Sequence, residues 1–388
     1  MSNQKLKKLT NMSNTLEING LLIKPKEDVI IKNLSISKIK KSDVLVDWSI
    51  SSVCNSERRR YNLTKSATDK DPFIGGHEAV GTISIENYPI KRYALLPHSN
   101  CLTRDEEKPC ICCENNTENL CQSMRHAGLD NNEPSGFSDK MFVSRSQLVD
   151  VSEIEHDLAP FLEPLSCVIR SWRLAKCNIS ESKKEIGIIG GGPIGCLHAF
   201  YTNNLNTNTK ITIIEKCSSR RKVLINVFKN FDNINISDNS ISHQFDVTVM
   251  ACSSSSGFTE SIRLVKPKGK TILFSGFNDT KYMQENYLPE VIHRYEFTHY
   301  ANNILLIGSS GYTQKDISLS KKHLMKFDNP RNIITGTVYG LDSKIVHRFD
   351  GTIEEYDEPI LVKDVKGQLS KTHIKIQYYN NCYDKKTL

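Results

Sequence analysis

The chain has 388 residues and a net charge of +7, from 51 basic against 44 acidic side chains. That is longer than one hydrophobic core usually serves, so two domains are expected. A hydrophobic content of 38% spread along the chain excludes a disordered protein, and the modest charge surplus gives no reason to expect a nucleic-acid partner. No apolar run approaches the roughly 20 residues needed to span a bilayer, so no membrane partner is expected either.

Residues 1–14, with the basic run Lys5-Leu-Lys-Lys, read as a disordered tail, and no apolar signal-peptide core follows. A soluble, cytoplasmic protein is the expectation. Between about Ile18 and Val53 the chain reads as short β-branched strands, among them 28–35 and the alternating run 43–51. Further strands are expected at 79–86, 92–97 and 140–145, so this half is mostly β. The texture changes near Ala159, where residues 161–177 carry apolar side chains at helical spacing. Strand candidates then alternate with helices at 186–190, 211–215, 245–252, 271–276 and 303–309, with a short sixth around 234–237. That alternation predicts a doubly wound parallel sheet. After Thr313 the pattern departs from it, and a last strand, 373–380, is expected to return to the first domain. The boundaries that follow are 15–167 for the first part of the β-rich domain, 168–312 for the parallel-sheet domain and 313–388 for the return.

Strand 186–190 ends in Gly190-x-Gly192-x-x-Gly195, with Pro193 and Ile194 opening the next helix. The first glycine permits a tight turn, the second lets backbone approach a pyrophosphate, and the third lets helix and strand pack closely. Glu215 ends the next strand twenty residues after Gly195, where such folds place the carboxylate that binds two ribose hydroxyls. A carboxylate there favours NAD, whereas Arg220 and Arg221 nearby could instead meet the 2′-phosphate of NADP.

Twelve cysteines in a chain of this kind point to metal rather than disulfides. Cys110, Cys113 and Cys121 are spaced to reach one ion, and a structural zinc site needs four ligands. Cys101 or Glu107 could supply the fourth, and Cys112 could replace Cys113. A second, dispersed set comprises Cys54, His77, Glu78 and Glu163, each where a strand or helix meets a turn. Mixed sulfur, nitrogen and oxygen donors suit a catalytic zinc that keeps an open position. Cys167, Cys177, Cys196, Cys217 and Cys252 lie in apolar or helical surroundings and read as small core residues.

Taken in order, Cys54-Asn-Ser-Glu57, Gly76-His-Glu-Ala-Val-Gly81, the cysteine loop, the run from Gly136, Phe161-Leu-Glu-Pro-Leu-Ser-Cys167, the glycine turn and the run from Lys266 resemble the zinc-containing medium-chain dehydrogenase/reductase family. The resemblance covers nearly the whole chain. It implies a GroES-like catalytic domain, discontinuous in sequence, a Rossmann domain, and a catalytic cleft between them. It further implies one catalytic and one structural zinc, with Cys54 and His77 ligating the former and Glu78 or Glu163 completing the set directly or through water. Ser56 falls where the family keeps a hydroxyl that relays the alcohol proton. The family is dimeric or tetrameric, and the apolar strand 303–309 is a candidate sheet edge for self-pairing.

Several departures bear on the substrate. The family's usual glycine and aspartate after the first zinc cysteine are Asn55 and Glu57 here, and Arg59 stands near the place where many members continue the relay with histidine. The run Arg58-Arg-Arg60 could receive an acidic or phosphorylated substrate or form a solvated turn. His293 and Arg294 precede the last parallel strand and could reach cofactor or substrate. The leading expectation is a dehydrogenase that interconverts a secondary alcohol of polyol, sugar or cyclitol type with its ketone. The alternatives are a catalytically silent NAD-binding sensor or scaffold and a zinc-free reductase of the same superfamily.

Overall fold

A computed structural model describes residues 15–38, 43–62, 71–83, 90–130, 133, 135–181, 183–238, 241–275, 297–301 and 303–380. The expected tail 1–14 and the pair His293 and Arg294 lie outside them. The first half forms β1 (Thr15–Ile23), β2 (Val29–Ser37), β3 (Asp43–Ser52), helix α1 (Asn55–Asn62), β4 (Phe73–Ile74), β5 (Glu78–Ile83), β6 (Lys91–Leu95), β7 (His98–Ser99), β8 (Arg125–His126), β9 (Lys140–Ser144) and β10 (Leu148–Asp150). Helix α2 (Leu162–Ala175) follows. Next come β11 (Glu185–Ile189), α3 (Pro193–Leu205), β12 (Lys210–Ile214), α4 (Ser218–Val227), β13 (Ile234–Ser237), β14 (Phe245–Met250), α5 (Ser255–Arg263), β15 (Val265–Leu273), β16 (Phe297–Ala301) and β17 (Ile304–Gly308). The remainder is α6 (Gln314–Lys326), β18 (Ile334–Tyr339), β19 (Ile345–Arg348), β20 (Ile353–Glu355), α7 (Ile360–Val365) and β21 (Lys375–Tyr379).

One sheet runs β13-β12-β11-β14-β15-β17-β16. Its parallel strands, counted in chain order, lie 3-2-1-4-5-6, the arrangement whose order reverses beside the first strand and opens a crevice there. The expected sixth strand at 234–237 is therefore present. The expectation that 303–309 is a sheet edge is overturned: β16 pairs antiparallel with β17 from Phe297↔Gly308 to Ala301↔Ile304 and covers it. Ile186 and Ile188 on one face of β11 are fully buried among the apolar residues of α2 and α3, and Ile189 on the other face packs in a second buried cluster with Ile214 and Phe245, so the strand is covered on both faces.

A second sheet, β10-β6-β5-β3-β21-β18-β19-β20 with β9 also on β3, joins strands from residues 43–150 to strands from 334–379. The expected late return of the chain is carried by β21, antiparallel to β3, with β18 parallel to β21. Helix α6 docks on α2, where the buried Asp316 carboxylate pairs with Arg173 and closes a capping box with Thr313. No helix among the described residues is long and apolar enough to cross a membrane.

Candidate functional site

Sheet register brings the first cluster together. Ser52 on β3 lies opposite Glu78 on β5, so Cys54, two residues past the end of β3, falls beside His77 and Glu78. One ligand atom from each of Cys54, His77 and Glu78 lies within 4.8 Å of the others. Glu163, in the first turn of α2, is outside this group and accepts instead from the Cys167 thiol at 3.5 Å. Burial pushes the Glu163 carboxyl upward against the pull of His77.

Glu57, noticed in the sequence only as a lengthened acid, organises these residues. It is wholly buried, and its Oε2 accepts from the Cys54 amide at 2.9 Å while Oε1 accepts from the Gly76 and His77 amides at 2.5 and 3.2 Å. The same Oε1 lies 3.1 Å from His77 Nδ1, and the other ring nitrogen, Nε2, faces Ser56 Oγ at 3.5 Å. Burial disfavours the charged imidazole, yet Cys54 and Glu57 outweigh it and raise the His77 pKa well above its ordinary value. Lys375 was not anticipated. Its ammonium pairs with the Glu78 carboxylate, which also accepts from Ser52 Oγ at 2.5 Å, and donates to the Val53 carbonyl at 3.2 Å. A lysine flanked by Ile374 and Ile376 in a strand was the available signal.

The arginine run forms part of α1 rather than a solvated turn. Arg58 holds Asp364 at 2.5 Å, whose other oxygen accepts from Tyr378 at 2.9 Å, and Arg60 holds Asp130 at 3.0 Å.

A cleft of about 530 Å³ runs from Cys54 and Glu78 to the glycine turn. Gly190 has φ +108°, open to glycine at little cost, and a Cβ on Gly195 would stand 2.0 Å from the Gly190 carbonyl. A Cβ on Gly192 would meet nothing within 4 Å, so this backbone is bare toward the cleft as a phosphate requires. Pro193 and Ile194 at the start of α3 line the same cleft. Glu215 lines it too, accepting from the Gly191 amide at 3.0 Å and the Cys217 amide at 2.8 Å. Arg220 is held by Glu215 at 3.4 Å and by the Ser370 carbonyl. Arg221 donates to the carbonyls of Glu215 and Lys216, at 2.8 and 2.9 Å.

The second cluster lies in the loop between β7 and β8. The sulfurs of Cys101, Cys110, Cys113 and Cys121 lie within 4.8 Å of one another, and Cys112 and Glu107 stand outside the group. Cys101 to Cys121 is 3.5 Å and Cys110 to Cys121 is 3.9 Å. Disulfides would bring sulfurs to about 2.05 Å, whereas four thiolates about 2.3 Å from one tetrahedral zinc lie about 3.8 Å apart. The donor set therefore fits zinc. Of the five cysteines read as core, Cys196 is fully buried and Cys167, Cys177 and Cys252 pack against buried apolar clusters, Cys167 also touching Glu163 and Cys252 also lining the cleft.

No protein-family model matches the chain. Among curated proteins it is 24% identical over 267 residues to D-arabinitol dehydrogenase 1 of Uromyces fabae, covering 66% of this chain and 74% of that one. It is 25% identical over 216 residues to (R,R)-butanediol dehydrogenase of Saccharomyces cerevisiae, covering 48% and 55%. The chain is thus similar to zinc-type medium-chain dehydrogenases over most of its length. The fold agrees with that of a solved dehydrogenase: L-idonate 5-dehydrogenase from Escherichia coli superposes with a TM-score of 0.67 over 95% of this chain and 100% of that one, at 18% identity.

Proposed function

We propose that this protein interconverts a secondary alcohol of polyol, sugar or cyclitol type with its ketone, using one catalytic zinc and NAD. The observation that carries the reading is the meeting of Cys54, His77 and Glu78, of which Cys54 and Glu78 line a cleft that also reaches the glycine turn. The arabinitol and butanediol dehydrogenases it resembles act on alcohols of this kind by name. Cys54 and His77 Nε2 would hold the zinc, with Glu78 or Glu163 completing the set, and Cys101, Cys110, Cys113 and Cys121 would hold a structural one. When bound, zinc supplies Lewis acidity at the alcohol oxygen and the nicotinamide supplies the carbon that takes up hydride.

The chain's own groups prepare that chemistry. Glu57 takes the Nδ1 side of His77, which orients the ring and leaves Nε2 on the side of Ser56 Oγ. Lys375 and Ser52 fix the Glu78 carboxylate, and the Ser56 hydroxyl stands beside Nε2 to receive and pass on the proton the alcohol loses. NAD is favoured over NADP because Glu215 offers a carboxylate to two ribose hydroxyls while Arg220 and Arg221 are already spent on Glu215 and backbone carbonyls. We take residues 15–167 with 313–388 as the catalytic unit and 168–312 as the nucleotide unit, working in the cytoplasm as a homodimer or homotetramer. His77→Ala in the zinc-loaded protein should lower turnover at least about a thousandfold while calorimetry shows NAD still bound. An unchanged rate would rule the mechanism out.

A further inference from the structure

Helix α1 carries three consecutive arginines, and the fold treats them differently. Arg58 is committed to Asp364 and Arg60 to Asp130, with the Arg60 guanidinium also 4.8 Å from the Phe73 ring centre. Arg59 has no hydrogen-bond or ion-pair partner among the described residues, although it is half-buried. Asn55, Arg58 and Asn62 line the cleft at successive helical turns, and Arg59, four residues after Asn55, stands on the edge of that stripe. The Cys54 thiol acts on its charge electrostatically. Arg59 itself is not part of the cleft lining but flanks it; of the cations that do line the cleft, Arg58 is answered by Asp364, Arg220 by Glu215, Lys375 by Glu78 and Lys366 by Glu358 at 3.2 Å, while Lys216 lines it on the nucleotide side, next to Glu215.

A guanidinium withdrawn from water without a counterion is costly unless something anionic arrives to meet it, and its planar fork matches phosphate and carboxylate oxygens. It cannot serve as a proton relay, because it has no acceptor and does not deprotonate in proteins. The cofactor's pyrophosphate has its own seat at the bare Gly192 backbone and the start of α3, on the other side of the cleft. We propose that Arg59 receives an oxyanion, phosphate or carboxylate, carried by the alcohol substrate, so that the substrate is an acidic polyol rather than a neutral one. This rests on the dehydrogenase reading above.

The test compares kcat/KM of the zinc-loaded full chain with NAD for a neutral hexitol, its terminal phosphate ester and the matching sugar acid. One charged member should be preferred, and Arg59→Ala should reduce the charged-to-neutral ratio by about ten- to a hundredfold, with Arg59→Lys recovering part of it. The charged member that loses more identifies phosphate or carboxylate as the group. A ratio that Arg59→Ala leaves in place overturns the inference, as does a rise in KM for NAD shared by all three substrates. Oxidation of the neutral hexitol with no preference for either charged form sinks this inference alone. If none of the three is oxidised, the dehydrogenase reading fails for this series, and calorimetric titration of the NADH-bound protein with the hexitol phosphate and the sugar acid still decides on Arg59. Binding weakened in Arg59→Ala and partly restored in Arg59→Lys supports the role; equal binding removes it. Matching melting curves of the two variants exclude misfolding as the cause.

Discussion

The cysteine loop and the cleft cluster both gather metal-binding side chains, but they are built on opposite principles. In the loop, four like donors come from one short segment and converge on one another with no charged partner among the four. In the cleft, three unlike donors come from two neighbouring strands and their connections, and two are held by further side chains, His77 by Glu57 and Glu78 by Lys375 and Ser52. A closed set of thiolates suits a metal that only has to stay, whereas an open set braced from behind leaves room for a reacting oxygen.

Substitutions should separate the two clusters. Cys113→Ser should remove one zinc per chain and lower the melting temperature by about 5–10 °C, while Cys112→Ser, outside the group, should leave metal content at the wild-type value. Equal zinc loss in both would show that the loop does not choose its ligands as the geometry indicates. Lys375→Met leaves the buried Glu78 carboxylate without its cation, and a loss of about 3 kcal/mol in denaturant unfolding of the zinc-free chain is expected. A wild-type unfolding midpoint would mean that the brace is unimportant.

The smallest effect is a pH dependence outside both clusters. Burial drives the imidazoles of His156, His198 and His323 down to about 4, 3 and 4 from an ordinary 6.5, with Arg92 adding to the first and Lys326 to the last. Because these rings are neutral when folded and take up protons when unfolded, their contribution is complete above about pH 6.5 and declines as pH falls toward 4. Melting of the His198→Gln variant should fall less steeply over that window than melting of the parent; parallel curves would contradict the assignment.

Much of this was legible in the sequence because it depends on local pattern. Gly190, Gly192 and Gly195 announce the turn, Glu215 ends the next strand, and closely spaced cysteines announce the loop. The unforeseen features depend on residues far apart in the chain. Lys375 reaches Glu78 only because β21 pairs with β3, and Asp364 answers Arg58 across 306 residues. The choice of Cys101 over Glu107, and of Cys113 over Cys112, rests on how the loop folds back on itself, which spacing left open. The misjudged edge at β17 has the same origin, since β16 has no strong pattern of its own and is placed by its partner.

The brace on Glu78 also sets an order of events at the ribosome. The cysteine loop is complete once residue 121 has been made, so it is able to capture its ion while the rest of the chain is still being translated. Lys375 is made long after Cys121, so the cleft reaches its finished form later than the loop does.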